Sequence, residues 1–446
     1  MGILFQIAVR NLIAAKRRSA MLGSALAAVT LLLVVLLSLS QGITDNMIRS
    51  ATALSSGHVN VAGFFKMSAT QSAPIVSDAP RIREIVKENV PGAVHVNARH
   101  RGWGKLVSES GSLQAGFNGI VLAEEPLFSE VVQLAKESEY KEGGRDEVIG
   151  DLSGLSQPGS VLIFASQAKR LEVGVGDALT ITTETLRGNR NTTDVTVVAI
   201  GRDMGFLSNW SVFLPRETIL DLYGLKPETT GSVQIFLEDE AQSEATMAHL
   251  RGVLEAEGFI LMEHQAVPFW AKFENVNNED WTGQKLDLTT WEDEVSYLTW
   301  VVRGLDTISF FLIAILVFII AVGIMNTMVI SVRERTREIG TLRAVGMPRV
   351  KVLWMILIEA LVLGAVASSV GALAGAALCL GIDAAAVEVP SDAVRVILLS
   401  DTLHLVVVPR QIATAIVVFT AITGLASLVP AFRASRLQPI TAMQSI

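Results

Sequence analysis

The chain has 446 residues, half of them hydrophobic and 18% charged, with a formal net charge of −8. It is too apolar for an ordinary soluble globular protein and too charged in its middle for a compact transporter. What remains is a membrane protein with a large aqueous domain.

In residues 1–18, Ile3, Leu4, Ile7, Ala8, Ile13 and Ala14 recur at helical spacing with Arg10 and Lys16 elsewhere. This predicts an amphipathic helix lying in the membrane surface. The apolar run 19–44 is long enough to cross a bilayer, for which about 20 residues suffice. A basic stretch before an apolar one also suggests a signal peptide. The run is too long for that, and no convincing small-x-small cleavage site follows, so it reads as a retained first transmembrane helix.

Residues 45–306 form the expected aqueous domain. Between 45 and 305 there are 22 basic and 36 acidic side chains, a net −14 that argues against nucleic acid as a partner. Alternation predicts a strand at His58–Gly63, and Pro91 and Gly92 stop a helix beginning at Ala79. Strands follow at 94–99, 104–108 and 113–122, with a helix from Pro126 to Glu139. The Gly-, Ser- and charge-rich stretch 140–160 is the candidate boundary between two subdomains. Beyond it come a strand, a short helix, a Gly174–Asp177 turn and another strand within 160–182, strands at 195–200, 211–214 and 232–237, and a helix at 241–257. The expectation for this domain is α+β.

Phe269, Trp270, Phe273, Trp281 and Trp291 crowd into residues 265–291 beside Glu274, Glu279, Asp280 and Asp287. Exposed, such rings make a partner or cargo surface. Buried, they are the edge of a core under a long loop. The six histidines show no metal-ligand spacing and read as scattered surface residues, so neither a metal site nor a catalytic residue is expected. No Gly-x-x-x-x-Gly-Lys-[Ser/Thr] string occurs, so no cofactor is expected on this chain and ATP with its Mg²⁺ would sit on another subunit. Cys379, the single cysteine, leaves the aqueous domain without a disulfide framework.

A second uncharged run spans 307–332 and ends abruptly in the cassette 333–351. There Arg333, Arg335, Arg337, Arg343, Arg349 and Lys351 face only Glu334 and Glu338, a net +4. Such excess marks the cytoplasmic side and puts both termini inside. Ile339, Leu342 and Val345 share one helical face, predicting a short amphipathic helix between two spans. The third span covers 352–382, where Gly364, Ser368, Gly371 and Gly375 are spaced for close helix packing. Glu359 is the only ionisable residue in any span and is expected to contact the amphipathic helix or a neighbouring span. An outer loop at 383–410, a fourth span at 411–432 and a tail at 433–446 complete the chain.

SVRERTREIGTLRAVGM, residues 331–347, resembles the cytoplasmic coupling segment of the MacB/FtsX/LolC-type permeases, the membrane subunits of type VII ABC transporters. PAFRASRLQPITAM, residues 430–443, resembles that family's closing motif. Ala168, Leu171, Gly174, Gly176 and Asp177 occupy places matching its periplasmic motif, although a glycine turn accounts for Gly176-Asp177 without any active site. The resemblance implies four transmembrane helices with a large α+β periplasmic domain between the first and second, in a bacterial inner membrane. It implies a non-enzymatic subunit working as a dimer, with a second copy or a paralogue, on two copies of a separate P-loop ATPase. That ATPase would be met by Arg333, Glu334, Arg335, Arg337, Glu338, Ile339, Leu342, Arg343, Val345 and Met347. Lipoprotein release is the closest job, on the GHVNV string after the first span and the long 383–410 loop. Tripartite efflux with a periplasmic adaptor, an FtsX-like activator of a periplasmic partner and a membrane receptor stay open.

Overall fold

The computed structural model describes residues 2–68, 71–387, 389 and 402–437. These fold as two compact units, one within Met1–Thr44, Val301–Glu388 and Thr402–Ile446, the other within Asp45–Trp300 and Val389–Asp401.

In the membrane unit, four described helices are long and apolar enough to cross a bilayer: Ser19–Leu54, Thr307–Glu334, Arg349–Ala384 and Pro409–Ser435. Two of them belong to longer helices than the apolar runs suggest. The first runs Lys16–Leu54 and the second Ser296–Glu334, beyond the apolar runs 19–44 and 307–332. Charge limits what enters lipid, but it does not break a helix whose backbone bonds continue past Asp45 and Arg49. The N-terminal helix Gly2–Ala14 ends only one residue before the first spanning helix, and Ile7 packs against the base of the bundle. The bundle core joins Leu26, Leu33 and Val34 of the first span to Ile320, Ile324 and Met328 of the second, Ala360 and Ala367 of the third and Ala415 and Phe419 of the fourth.

Among the described residues the aqueous unit holds ten strands: β1 Val59–Ser68, β2 Gln71–Ala73, β3 Ala93–Val107, β4 Ser112–Ile120, β5 Ser160–Phe164, β6 Ala178–Glu184, β7 Arg190–Gly201, β8 Ser211–Pro215, β9 Ser232–Leu237 and β10 Gly283–Thr290. Nine of them run in the order β10-β1-β9-β3-β4-β8-β5-β7-β6, β2 pairs with β1, and β6 also pairs back to β3. This makes two lobes. In the first, β10, β1, β9 and the start of β3 carry the helices Ala79–Asn89 and Ser243–Ala256. Val59, Val61, Val233, Ile235, Leu286 and Leu288 alternate onto that covered face. In the second, the end of β3 with β4, β8, β5, β7 and β6 closes a six-stranded ring. Alternate residues fill it, among them Leu106, Ala115, Phe117, Val161, Ile163, Leu179, Ile181, Val195, Val197, Val212 and Leu214. Gly104 permits the closure, since a Cβ there would stand 2.5 Å from the Thr182 carbonyl oxygen.

The second lobe is therefore an insertion between β3 and β9, and the lobe boundary is not the 140–160 stretch. That stretch folds inside the second lobe, where Gly150 bridges Ala199 of β7. The true crossing is β3 itself, whose residues Ala93–Arg99 pair with β9 and His100–Val107 with β4. Two strands expected at 94–99 and 104–108 are thus one. Arg99 and Arg101 disguised it, because charged residues inside a buried strand are rare unless paired. Arg99 is fully buried, and its Nη2 lies 2.7 Å from Glu125 Oε2. The expected helix 126–139 breaks into Pro126–Val131 and Glu137–Tyr140. Leu134 and Lys136 form β-bridges between them. The Gly174–Asp177 turn is present, with Gly176 at φ +97° and Asp177 Oδ2 accepting the Gly174 N–H at 2.7 Å.

Candidate coupling site

The charged cassette forms the helix Thr336–Ala344 between two spanning helices. Its end is specified by Gly346 at φ +105°, a conformation that costs glycine little. Met347 N–H donates to the Leu342 carbonyl at 3.0 Å and Gly346 N–H to that of Arg343 at 3.1 Å, the paired bonds of a Schellman cap. Pro348 then caps Arg349–Ala384. The accompanying apolar contact is present, since Leu342 and Met347 pack with Ile339 on Val352, Met355, Ile356, Ala431 and Ala434.

Ile339 is buried against the bundle, and Leu342 and Met347 are half-buried there. Val345 is 84% exposed, off the face that helical spacing gave it, because it is the last residue before the chain turns at Gly346. Arg333, Glu334, Arg337 and Glu338 are exposed, while Arg343 is half-buried.

Arg335 turns inward. Its Nη1 lies 3.2 and 3.0 Å from the two oxygens of Glu359, and its Nη2 donates to the Asn11 backbone oxygen at 3.1 Å. Asn11 Nδ2 donates to Glu359 Oε2 at 3.4 Å. Glu359 thus meets the start of the amphipathic helix, as expected, and Arg335 belongs to this inner knot and not to the outward face. One polar cluster ties together the N-terminal helix, the coupling helix and the third span. No local pattern marks Asn11, which the sequence reasoning missed. For an intramembrane carboxylate such a partnered arrangement is the affordable one.

The three glycines sit where helices touch. A Cβ on Gly364 would stand 2.9 Å from Thr423 of the fourth span, and one on Gly371 2.2 Å from the Ala27 carbonyl oxygen of the first. One on Gly375 would be 3.1 Å from the Leu31 oxygen. Residues 438–446, which include the latter part of the closing motif, lie outside the described residues, as do most of 388–401; Ala431 and Ala434 of the motif are buried against the coupling helix.

In the aqueous unit the aromatic stretch is divided. Phe273 stacks edge-on to Phe64 at 5.1 Å and to Trp103 at 5.0 Å. Trp281 is half-buried, and its Nε1 donates to Glu279 Oε2 at 2.8 Å. Phe269 lies under the Arg101 guanidinium at 4.3 Å. Only Trp270 among the four is largely exposed. The histidines are not all at the surface either. His100 is buried, its Nε2 2.7 Å from the Thr229 carbonyl oxygen, and burial drives its pKa down to about 4. His58 is likewise lowered by burial while its Nδ1 accepts the Leu237 N–H at 2.9 Å. Among the described residues no cluster of three or more metal-ligating side chains occurs.

Residues 310–439 match the FtsX-like permease C-terminal family, and residues 20–253 match the MacB-like periplasmic core domain. A macrolide export ATP-binding/permease protein MacB of Marinobacter nauticus is 28% identical over 224 residues, covering 49% of this chain and 30% of that protein. The uncharacterized ABC transporter permease YvrN of Bacillus subtilis is 30% identical over 122 residues, 27% of this chain and 26% of it. The pyoverdine export ATP-binding/permease protein PvdT of Pseudomonas savastanoi pv. phaseolicola is 36% identical over 132 residues, 30% and 18%. The matched stretches span less than a third of these curated relatives. Among solved structures, the periplasmic region of MacB from Actinobacillus actinomycetemcomitans is similar over 55% of this chain and 94% of its own, at 13% identity and a TM-score of 0.30. The extracellular domain of the transporter YknZ is similar over 44% and 95%, at 14% identity and a TM-score of 0.29. The periplasmic-core match takes in just over half of the sequence and the permease match follows it in order, so this multi-pass membrane chain belongs to the MacB/FtsX-type ABC transporter permeases.

Proposed function

We propose that this permease converts ATP-driven closure of a separate P-loop ATPase into movement of its aqueous domain. The observation that carries the reading is the coupling helix. Arg337 on it, Val345 at its end and Arg333 just before it are exposed, while Ile339, Leu342 and the Arg335–Glu359 pair lock it to the third span. A push on the outward face is transmitted because the inner face cannot slip. Two permease copies on two ATPase copies would work in a bacterial inner membrane, with both termini on the ATPase side. Exposed Phe310, Phe311, Ile315, Phe318 and Ile319 of the second span suit lipid or the second copy. The names of the relatives specify export of a macrolide and of pyoverdine, which supports export here. The GHVNV string favours a lipid-anchored cargo.

The test is co-purification with the ATPase in detergent. Arg337→Glu with Val345→Asp is expected to abolish it without affecting membrane insertion, and retention with normal ATP turnover would refute the assignment. Sidedness is checked with single cysteines in a Cys379→Ala background. Ser110 and Ala245 positions should react with an impermeant thiol reagent in intact spheroplasts, and the Val345 position should not.

A further inference from the structure

The aqueous unit contains a cavity of about 510 Å³. That is within the range of small-molecule sites, roughly 300–1,000 Å³. Its walls are mostly apolar, formed by Phe117, Leu207, Trp210, Phe273 and Tyr297 with the exposed Trp270 at the rim. Arg101 also lines it. This side chain is buried, stacks over Phe269, and has Nη2 3.8 Å from Glu294 Oε2, too far for a hydrogen bond. Neither Nη1 nor Nη2 of Arg101 has a hydrogen-bond partner among the described residues. Glu294 itself is engaged, its Oε1 accepting from the Thr289 hydroxyl at 2.9 Å.

Leaving a buried guanidinium with unmade hydrogen bonds is costly, and an acceptor entering the cavity would remove that cost. The charge of that acceptor follows from the neighbours. Glu294 already balances Arg101, and Asp287, the other acid whose charge acts on Arg101, is paired with Lys272 at 2.7 Å. A carboxylate would add an uncompensated charge to a low-dielectric site, whereas a carbonyl leaves it neutral. We infer that this cavity binds an uncharged amphiphile, its apolar body against the aromatic walls and a carbonyl oxygen on the Arg101 guanidinium. Arg101 would be the residue that selects the headgroup. The inference stands on the aqueous unit alone and needs neither ATP nor the ATPase, so it can fail or hold independently of the export reading.

The experiment is photolabelling of the full chain in lipid nanodiscs without ATP. The probe is a diazirine-bearing long-chain N-alkyl amide, compared with the same chain as a plain alkane and as a carboxylate, and labelled peptides are mapped by mass spectrometry. The amide is expected to label peptides containing Trp210 and Trp270 saturably, and the other two probes to label them weakly. Arg101→Met combined with Glu294→Gln keeps the site neutral and should weaken amide labelling about tenfold or more, the scale of a lost hydrogen bond to a charged group. Asn118→Trp, which fills the cavity from β4, should abolish it with an unchanged melting temperature. If the double variant misfolds, the Asn118→Trp result decides. Equal labelling by amide and alkane, labelling confined to the spans, or labelling indifferent to Asn118→Trp would overturn the proposal.

Discussion

Arg335 and Glu359 stand 24 positions apart in sequence and meet at 3.0 Å, where the end of the second spanning helix turns into the coupling helix. The side chain of Glu359 keeps 7% exposure and that of Arg335 18%. Breaking a buried pair by removing one partner costs about 3–5 kcal/mol, and the residual exposure of Arg335 brings the expectation here to about 2. Glu359→Gln should therefore lower the unfolding temperature of the detergent-solubilised chain. The swap Arg335→Glu with Glu359→Arg should recover part of the loss. Equal destabilisation by the single change and the swap would show that the pair does not couple these helices.

The aqueous unit should weaken in mild acid through His100. A carbonyl oxygen faces its Nε2, so that nitrogen carries a proton, and the lowered pKa leaves the ring neutral at pH 7. Its pKa in the folded chain is about 4 against an ordinary 6.5, with burial the main cause. The unfolded chain therefore takes up the proton first, and stability is lost as pH falls from 6.5 towards 4. The loss approaches roughly 3 kcal/mol when protonation is complete. His100→Gln retains a donor to the Thr229 oxygen without a titrating group. Its chemical-denaturation midpoint, followed from pH 7.5 to 4.5, should fall less than that of the parent. Parallel pH profiles would contradict the assignment.

The third span should tolerate added methyl groups unevenly. At Gly371 the new Cβ meets backbone, which cannot rotate away, so Gly371→Ala is expected to cost about 1–3 kcal/mol. Gly381→Ala in the same helix meets nothing within 4 Å and should be neutral or slightly stabilising. Thermal unfolding of the two variants side by side distinguishes a packed glycine from one that is merely frequent in membrane helices.

Phe273 and Trp270, three positions apart, should differ in what they support. Phe273→Ala removes a ring wedged between Phe64 and Trp103 and should cost about 2–3 kcal/mol. Trp270→Ala removes a ring 55% exposed and should cost less than about 1 kcal/mol. Equal unfolding free energies for the two would mean that the stretch is uniformly surface or uniformly core.

Most strands of the aqueous unit were legible because a short, largely apolar run is a local signal, as at β5, β8 and β9, which are buried on both faces. β10 was not, since Asp287 interrupts its apolar pattern and is neutralised only by Lys272 on another segment. β1 runs past its expected end for the same reason. Lys66 is buried there because the carbonyls of Val276 and Glu279 accept from its Nζ at 2.7 and 2.6 Å. A charged residue reads as surface until its distant partner is known.

At the coupling site, composition alone determined the four apolar runs, the basic cassette and the place of a helix between two spans, because transfer into lipid and helical periodicity are sums over neighbouring residues. The tertiary structure decided which way each of those residues faces. Arg335 and Arg337 are alike in type and two positions apart, yet Arg335 is drawn inward by Glu359 and Asn11 while Arg337 stays in solvent. The same holds for Arg101, whose burial and unfilled donors depend on strands and rings far along the chain. Burial and pairing are set by contacts remote in sequence, and no local pattern encodes them.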